Sequence, residues 1–145
     1  MNYQQVEILL VEDSKPDADM TMRTLRKRGI ANNVEWVKNG LEAIEYLFHE
    51  GAYANRPAGA PKLVLLDLKM PLMDGLQVLE KMKADPRTKA IPVVMMTSSR
   101  EEGDLLASYR LGVNSYVVKP VDFHDFAEMV SQVGMYWMLS NQVPE

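Results

Sequence analysis

The residues best suited to chemistry in this chain directly follow its apolar runs. Glu12 and Asp13 follow ILLV, Asp67 follows LVLL, Thr97 follows VVMM, and Lys119 follows YVV. The carboxyl ends of parallel strands meet at one edge of a sheet, which is where open α/β sheets bind their ligands. If each apolar run is a strand, three acids, a hydroxyl and an ammonium converge at that edge.

This set of groups suits phosphoryl transfer to a carboxylate. Three carboxylates that lie together repel each other and need a cation, and their oxygen donors on an open edge best suit Mg²⁺. Asp67, held ionised beside such an ion, is able to attack phosphorus in line and form an acyl phosphate. The Thr97 hydroxyl and the Lys119 ammonium are suited to bind the phosphoryl oxygens.

Taken singly, each of these residues has a simpler explanation. Asp67 alone would be a helix cap or a salt-bridged acid, and Glu12 and Asp13 would cap the first helix, a role compatible with metal binding. Lys119 alone would be a surface lysine, and Thr97 a turn residue. Four coincident strand ends carrying this chemistry favour a functional site.

Five short apolar runs predict the sheet that positions these groups. Several of them are nearly continuous in Val, Ile, Leu and Met, as in strands of a parallel sheet that is covered on both faces. The runs are Val6–Val11, Val34–Val37, Leu63–Leu66, Ile91–Met96 and Tyr116–Val118.

The segments between the runs carry apolar residues at helical spacing. The first segment ends at Gly29, which is the predicted C-terminal cap. The apolar stripes are Ala18, Met22 and Leu25; Leu41, Ile44, Leu47 and Phe48; Leu76, Leu79 and Met82; Leu105, Leu106 and Tyr109; and Phe123, Phe126, Val130, Val133 and Trp137. Strands alternating with helices predict an α/β fold, a doubly wound five-stranded parallel sheet of the (βα)5 type with right-handed crossovers.

Composition excludes several classes of function. The chain has 145 residues, enough for one domain, and a net charge of −4, which argues against binding to nucleic acid. Its one basic cluster, Arg23 with Arg26–Arg28, is expected to be the solvated face of a helix.

No apolar segment is long enough for a membrane span. There is no cysteine, and the N-terminus lacks the features of a secretory signal, so we expect a cytoplasmic location.

Four blocks of the sequence resemble those of response-regulator receiver domains, the CheY-like superfamily. They are ILLVEDS, LVLLDLKMPLMDGLQVLEKMKAD, IPVVMMTSS and YVVKPVD, and the spacings of 30 residues from Asp67 to Thr97 and 22 to Lys119 also agree with that family. The resemblance implies a flavodoxin-like receiver fold with sheet order 2-1-3-4-5. It further implies one receiver domain over residues 1–145 without an output domain, a sensor histidine kinase or phosphotransfer protein as donor, and a downstream partner that is unknown.

The resemblance also assigns roles to the acidic residues. Asp67 matches the phosphoryl acceptor, and Glu12 and Asp13 match the acids that bind Mg²⁺. Lys69 stands where the family supplies a backbone carbonyl to the metal. Many relatives carry a short side chain there, so the long cation of Lys69 leaves the rate of dephosphorylation and the choice of partner open.

Other matches concern switching and access. Thr97 matches the switch hydroxyl, Lys119 the phosphate-binding lysine, and Tyr116 the aromatic residue that turns inward on activation. The alternative that Tyr116 is a plain core aromatic stays open. Pro120 resembles the family's cis-proline, and Ser98 matches a position kept small for access of the donor.

Further segments resemble the single-domain regulators that are paired with bacterial phytochrome kinases. They are GAYANRPAGAP, KADPRTKAIPVV, NSYVVKPVD and the Tyr136–Trp137 ending. A phytochrome-type kinase is therefore the expected donor.

The last helix predicts self-association. Beyond its core stripe it carries Met129, Tyr136 and Leu139, which point elsewhere on a 3.6-residue period, and Tyr109 and Tyr116 are able to join them. We expect a homodimer through the fourth helix, the fifth strand and the fifth helix. The alternative is that these residues cover the chain's own C-terminal turn.

Three other functions are the alternatives to this interpretation. A haloacid-dehalogenase-type phosphatase needs a general acid two residues after the nucleophile, where this chain has Lys69. A flavodoxin-type flavin domain needs a hydroxyl-rich phosphate loop after the first strand, where this chain has EDSKPDAD. A receiver that binds a partner without phosphorylation stays open, although all of the site residues are present.

Overall fold

The computed structural model describes residues 6–140, and within this range five parallel strands alternate with five helices. The strands are β1 (Ile8–Val11), β2 (Val34–Val37), β3 (Leu63–Leu66), β4 (Val93–Thr97) and β5 (Ser115–Val118). The helices are α1 (Lys15–Lys27), α2 (Gly40–Leu47), α3 (Gly75–Ala84), α4 (Glu102–Arg110) and α5 (Phe123–Met135). A 3-10 turn over Gly51–Tyr53 follows α2, and a π-helical turn over Tyr136–Ser140 follows α5.

The sheet order is β2-β1-β3-β4-β5, with every pair parallel, as predicted. Val11 lies opposite both Val37 and Leu66, so β1, β2 and β3 end level with one another. Thr97 lies opposite Val118 at the other side of the sheet. The residues that follow these positions are therefore presented along one edge.

The predicted strand bounds hold for β2 and β3 and shift elsewhere. β1 begins at Ile8 rather than Val6, and β5 begins at Ser115 rather than Tyr116. β4 begins at Val93, two residues later than predicted, because Pro92 has no N–H to donate to a neighbouring strand. β4 also includes Thr97.

Two hydrophobic layers cover the faces of the sheet. Along β1, Leu9 and Val11 pack with α2 and α3, whereas Ile8 and Leu10 pack with α1 and α5. This alternation follows from the two-residue period of a strand. All four side chains are buried, and burying each stabilises the fold by roughly 1.5–3 kcal/mol.

The apolar stripe predicted for α4 is wrong. Leu106 and Tyr109 are 48% and 52% exposed, and Ser108 is the residue of this helix that is buried. Among the described residues the sheet ends at β5, and no further element there covers the outer side of α4. The predicted stripes of α2 and α5 are wrong at one residue each, since Leu41 and Phe123 are also exposed at the ends of their helices.

The end of α1 agrees with the prediction. Gly29 follows the helix with φ of 68°, in the left-handed region that favours glycine, and its N–H donates to the carbonyl of Arg26 at 3.1 Å. Within residues 6–140 no helix combines the length and apolar character that a membrane span requires.

Candidate phosphoryl-acceptor site

Three carboxylates meet at the carboxyl edge of the sheet. Glu12 and Asp13 follow β1 and Asp67 follows β3, and the pairing of these strands sets the acids side by side. One carboxylate oxygen from each residue lies within 4.8 Å of the others. Glu12 and Asp67 are buried, whereas Asp13 is exposed. Buried like charges are costly, so the cluster favours a cation or a proton.

Backbone contacts fix the position of Asp67. Its N–H donates to the Val11 carbonyl at 2.9 Å, and its Oδ1 accepts from the N–H of Leu68 at 2.8 Å. The start of α3 packs directly on this backbone, because a side chain at Gly75 would collide with the carbonyl oxygen of Asp67. A glycine at this position is therefore required for the close approach.

Glu12 is held equally firmly. Its Oε2 accepts from the N–H of Ser14 at 3.1 Å, and its carbonyl accepts from the Trp36 indole at 2.7 Å. Its backbone N–H donates to the carbonyl of Val37 at 3.1 Å. The two buried acids are thus held in place by the backbone and the core.

Lys119 brings a buried ammonium to the same edge. It follows β5, its N–H donates to the Thr97 carbonyl at 2.8 Å, and its side chain is only 6% exposed. Its Nζ lies 2.6 Å from Glu12 Oε1, 3.0 Å from Asp17 Oδ2 and 3.7 Å from Asp67 Oδ2. One cation therefore reaches three carboxylates, two that directly follow β1 and β3 and one on α1.

Asp17 is a site residue that sequence reasoning missed. It lies in the first turn of α1, which begins after the N-cap Ser14. An acid in the first turn of the helix that follows the acidic pair was the available signal, but acids are common there because they complement the helix dipole.

The protonation of Asp67 depends on its surroundings. Burial, and to a smaller extent the nearby Glu12, raise the pKa of this carboxyl to about 8 against the lowering effects of Lys119 and the Leu68 N–H. Burial lowers the pKa of Lys119, but Glu12, Asp67 and the hydrogen bonds to Glu12 and Asp17 outweigh it and raise that pKa above its ordinary value. The ammonium is thus charged while Asp67 holds a proton more readily than an ordinary aspartate.

Thr97 and Tyr116 are joined through Ser99. Thr97 is buried, and its Oγ1 accepts from the N–H of Ser99 at 3.1 Å. The Tyr116 hydroxyl donates to the carbonyl of Ser99 at 3.1 Å, while its ring packs partly buried against the core. Tyr116 therefore has both a core contact and a polar contact with the β4–α4 loop.

The side chain of Lys69 is directed toward α4. It is exposed, and its Nζ lies 3.5 Å from Asp104 Oδ2, which also accepts from the Ser99 hydroxyl at 2.5 Å. Ser98 is exposed next to Thr97. The cis peptide predicted at Pro120 is wrong, since residues 6–140 contain no cis peptide bond; the trans form is the more stable one even before proline.

A cleft of about 420 Å³ opens beside Lys119. Its lining combines polar side chains, among them Asp17, Ser98 and Lys119, with apolar side chains of α1, the β5–α5 loop and α5. The apolar ones include Met20, Val121 and Phe123. Val121 is fully exposed and Phe123 is 65% exposed. The site therefore has an open, partly apolar approach.

The donor set fits a small hard cation. Glu12, Asp13 and Asp67 supply carboxylate oxygens, and Asp13 is exposed so that water can reach the cluster, which is the environment that Mg²⁺ prefers. When all three carboxylates are ionised they outnumber the Lys119 ammonium, so the cluster keeps a net negative charge.

Comparison with known proteins agrees with this geometry. Residues 8–131 match the family described as the response regulator receiver domain. The chain is 40% identical over 138 residues to the probable methanogenesis regulatory protein FilR2 of Methanothrix harundinacea, covering 94% of this chain and 86% of that protein. It is 39% identical over 137 residues to the response regulator Rcp1 of Synechocystis sp., covering 94% and 92%.

Two solved structures are similar over almost the whole chain. The crystal structure of the Mn²⁺-bound form of Rcp1 has a TM-score of 0.90 at 38% identity, covering 97% of this chain and 100% of that one. The crystal structure of phosphorylated RcpA, a cyanobacterial phytochrome response regulator, has a TM-score of 0.90 at 37% identity, covering 98% and 100%.

Proposed function

This chain belongs to the response regulator receiver family, and we propose that it is a signalling switch controlled by phosphorylation of Asp67. The observation that carries the proposal is the meeting of the Glu12, Asp13 and Asp67 carboxylates with a buried ammonium, the Lys119 Nζ, 3.7 Å from Asp67. A nucleophile, a cation site and a counter-charge for phosphate thus share one sheet edge.

The proposed step is an in-line displacement at phosphorus. An oxygen of ionised Asp67 forms a bond to phosphorus while the bond to the leaving group breaks, and the electron pair leaves with the imidazole of a phosphohistidine or with acetate. Lys119 neutralises the phosphoryl oxygens and the Thr97 hydroxyl donates to them. Mg²⁺, held by Glu12, Asp13, Asp67 and the carbonyl of Lys69, would supply further positive charge for the phosphoryl oxygens.

The proposed conformational response begins at Thr97 and extends to β5. A Thr97 hydroxyl drawn to the phosphoryl group disturbs the bond that its oxygen accepts from Ser99, and the Ser99 carbonyl in turn holds the Tyr116 hydroxyl. The phosphoryl group thereby favours one of two arrangements of the β4–α4 loop and β5.

We propose a sensor histidine kinase of phytochrome type as the donor. Support comes from the similarity to Rcp1 and to RcpA, which is a phytochrome response regulator. Residues 1–145 are proposed to act as one cytoplasmic receiver domain that passes its signal to a separate protein. The exposed basic residues of α1 are proposed to be a solvent-facing helix surface, and no nucleic-acid partner is proposed.

A homodimer through α4, β5 and α5 is part of the proposal. Leu106 and Tyr109 on α4 are about half exposed, and Tyr136 and Leu139 after α5 are 54% and 67% exposed. The two tyrosines are of a kind enriched at the centre of interfaces, and the two leucines add exposed apolar surface beside them. Met129, predicted to join them, does not, because it packs partly buried against the core.

Treatment of the purified protein with acetyl phosphate and Mg²⁺ tests the proposal. The intact mass should rise by one phosphoryl group, the group should be removed by hydroxylamine, and a chelator should prevent its addition. Asp67→Asn should show no gain. Equal labelling of this variant would refute Asp67 as the acceptor.

A further inference from the structure

Asp17 contacts the ammonium of Lys119 from outside the carboxylate cluster. Its Oδ2 lies 3.0 Å from Lys119 Nζ, whereas the cluster consists of Glu12, Asp13 and Asp67. The Asp17 side chain is 32% exposed and lies in the wall of the 420 Å³ cleft. Lys119 is therefore held between two acids that follow β1 and β3 and one acid on α1.

The backbone at Asp17 is fixed by local contacts. Its N–H donates to the Ser14 hydroxyl at 3.3 Å, and its carbonyl accepts from the Thr21 hydroxyl at 2.8 Å. Pro16 precedes it with a restricted φ. The carboxylate thus extends from a rigid first turn, so its contact with Lys119 defines where the ammonium lies.

An ammonium has three N–H donors, and their partners decide how close Lys119 comes to Asp67. Two donors have partners at hydrogen-bond distance, Glu12 at 2.6 Å and Asp17 at 3.0 Å, whereas Asp67 is farther away at 3.7 Å. Without Asp17, the pull of that carboxylate on Nζ would be lost, and the ammonium would be drawn toward Asp67, the third acid within ion-pair distance. A direct hydrogen bond there would occupy an oxygen that must attack phosphorus.

We propose that Asp17 is a positioning residue that holds Lys119 back from Asp67 and so keeps an Asp67 oxygen free for attack. The inference rests on the proposed function of Asp67 as acceptor. It assigns to α1 a direct part in setting the reactivity of the site.

Asp17→Asn tests the inference, with Asp19→Asn as its matched control. Asp19 lies on the same helix and makes an exposed pair with Lys15 at 2.8 Å, so its replacement removes the same charge without touching Lys119. At saturating Mg²⁺ and fixed acetyl phosphate, Asp17→Asn should lower the rate of Asp67 phosphorylation about tenfold, the scale of one charge-assisted hydrogen bond. Asp19→Asn should stay within about twofold of the unmodified chain, since surface pairs contribute little.

A second readout, free of metal and phosphate, separates positioning from a merely structural effect. The ¹H–¹⁵N signal of the Lys119 ammonium, assigned by its loss in Lys119→Met, should move in Asp17→Asn and not in Asp19→Asn. Asp17→Glu, which keeps the carboxylate, should recover part of the lost rate.

The outcomes are distinct. Equal phosphorylation rates in Asp17→Asn and Asp19→Asn would overturn the inference while leaving Asp67 as the acceptor. An unchanged ammonium signal in Asp17→Asn would overturn the contact on which the inference depends. An unmodified chain that takes no phosphoryl group at all would instead overturn the proposed function, and the inference with it.

Discussion

The ammonium of Lys119 lies 2.6 Å from the carboxylate of Glu12, although 107 residues separate them in sequence and both side chains are almost fully buried. This pair joins the end of β5 to the end of β1 across the sheet. A buried cation that neutralises acids before phosphorylation is also placed to bind the phosphoryl group after it.

Lys119→Met should uncouple phosphorylation from the conformational response. The ammonium pairs with phosphoryl oxygens only once they arrive, so its largest contribution is to the phosphorylated state. We expect Asp67 still to accept phosphate from acetyl phosphate, while the ¹H–¹⁵N signals of Ser99 and Tyr116 no longer shift on phosphorylation.

Lys83→Met is the control for that change. Lys83 is a partly buried lysine whose Nζ donates to the carbonyls of Lys89 and Ile91, away from the acidic cluster. It should respond to phosphorylation as the unmodified chain does. A normal response in Lys119→Met would exclude Lys119 as the residue that reads the phosphate.

In the presence of a chelator, stability should fall as pH rises from about 4 to about 8. The pKa of Asp67 is about 8 in the folded chain, against an ordinary value of 3.8. Between these pH values the folded chain keeps a proton that the unfolded chain has released. This proton stabilises the folded chain most near pH 4, and the stabilisation is lost as pH rises through 8. The slope from this group is at most about 1.4 kcal/mol per pH unit.

Urea unfolding of the unmodified chain and Asp67→Asn at a series of pH values measures this slope. The difference in free energy of unfolding between the two should grow in favour of Asp67→Asn as pH rises. A difference that is constant between pH 4 and 8 would show that burial does not raise the pKa of Asp67.

Asp13→Ala should weaken Mg²⁺ binding by at least about tenfold, because Mg²⁺ dehydrates reluctantly and the variant offers one carboxylate fewer. Titration followed by tryptophan fluorescence is a suitable measurement, since the Trp36 indole donates to the Glu12 carbonyl. Asp19→Ala should bind Mg²⁺ as the unmodified chain does. Equal affinity in all three proteins would remove Asp13 from the metal site.

Phe123→Asp should slow transfer from a histidine kinase about tenfold and leave labelling by acetyl phosphate unchanged. Phe123 is 65% exposed beside the cleft at Lys119. We expect a protein donor to dock there through such an exposed aromatic side chain, whereas a small donor needs no such contact. Leu41→Asp, at an exposed position on α2, is the control. Slowing of both donors by the same factor would show that the variant damages the site rather than docking.

Tyr136→Glu should shift the chain toward monomer in sedimentation over a concentration series. A buried unpaired charge would oppose the proposed contact through Tyr136 and Leu139. Leu41→Glu should sediment like the unmodified chain. Dimerisation of Tyr136→Glu with unaltered affinity would rule out this face as the interface.

The sequence predicts the elements best where one local pattern decides the outcome. The short apolar runs of β2 and β3 predict those strands to the residue, and Gly29 marks the end of α1, because a strand's apolar pattern and a left-handed cap depend on the residues themselves. The exposed side of α4 could not be predicted, because it depends on the sheet ending at β5.

In the site, too, local patterns predict some features, whereas others depend on how the elements pack. Strand ends place Glu12, Asp67 and Lys119 on one edge, and the register of the sheet bears this out. The contact of Asp17 with Lys119 depends on how α1 packs against the sheet, which no spacing in the sequence specifies. The bond between Tyr116 and Ser99 likewise depends on the path of the β4–α4 loop.

Reductive trapping of the phosphorylated residue tests the central claim most directly. Borohydride converts an aspartyl phosphate to homoserine, so the protein treated with acetyl phosphate and Mg²⁺ is reduced, digested and mapped by tandem mass spectrometry. We expect homoserine at position 67 and nowhere else in the chain. Homoserine at Asp13 or another aspartate instead of Asp67, or a stable phosphate on a serine or threonine with none at Asp67, would contradict this expectation.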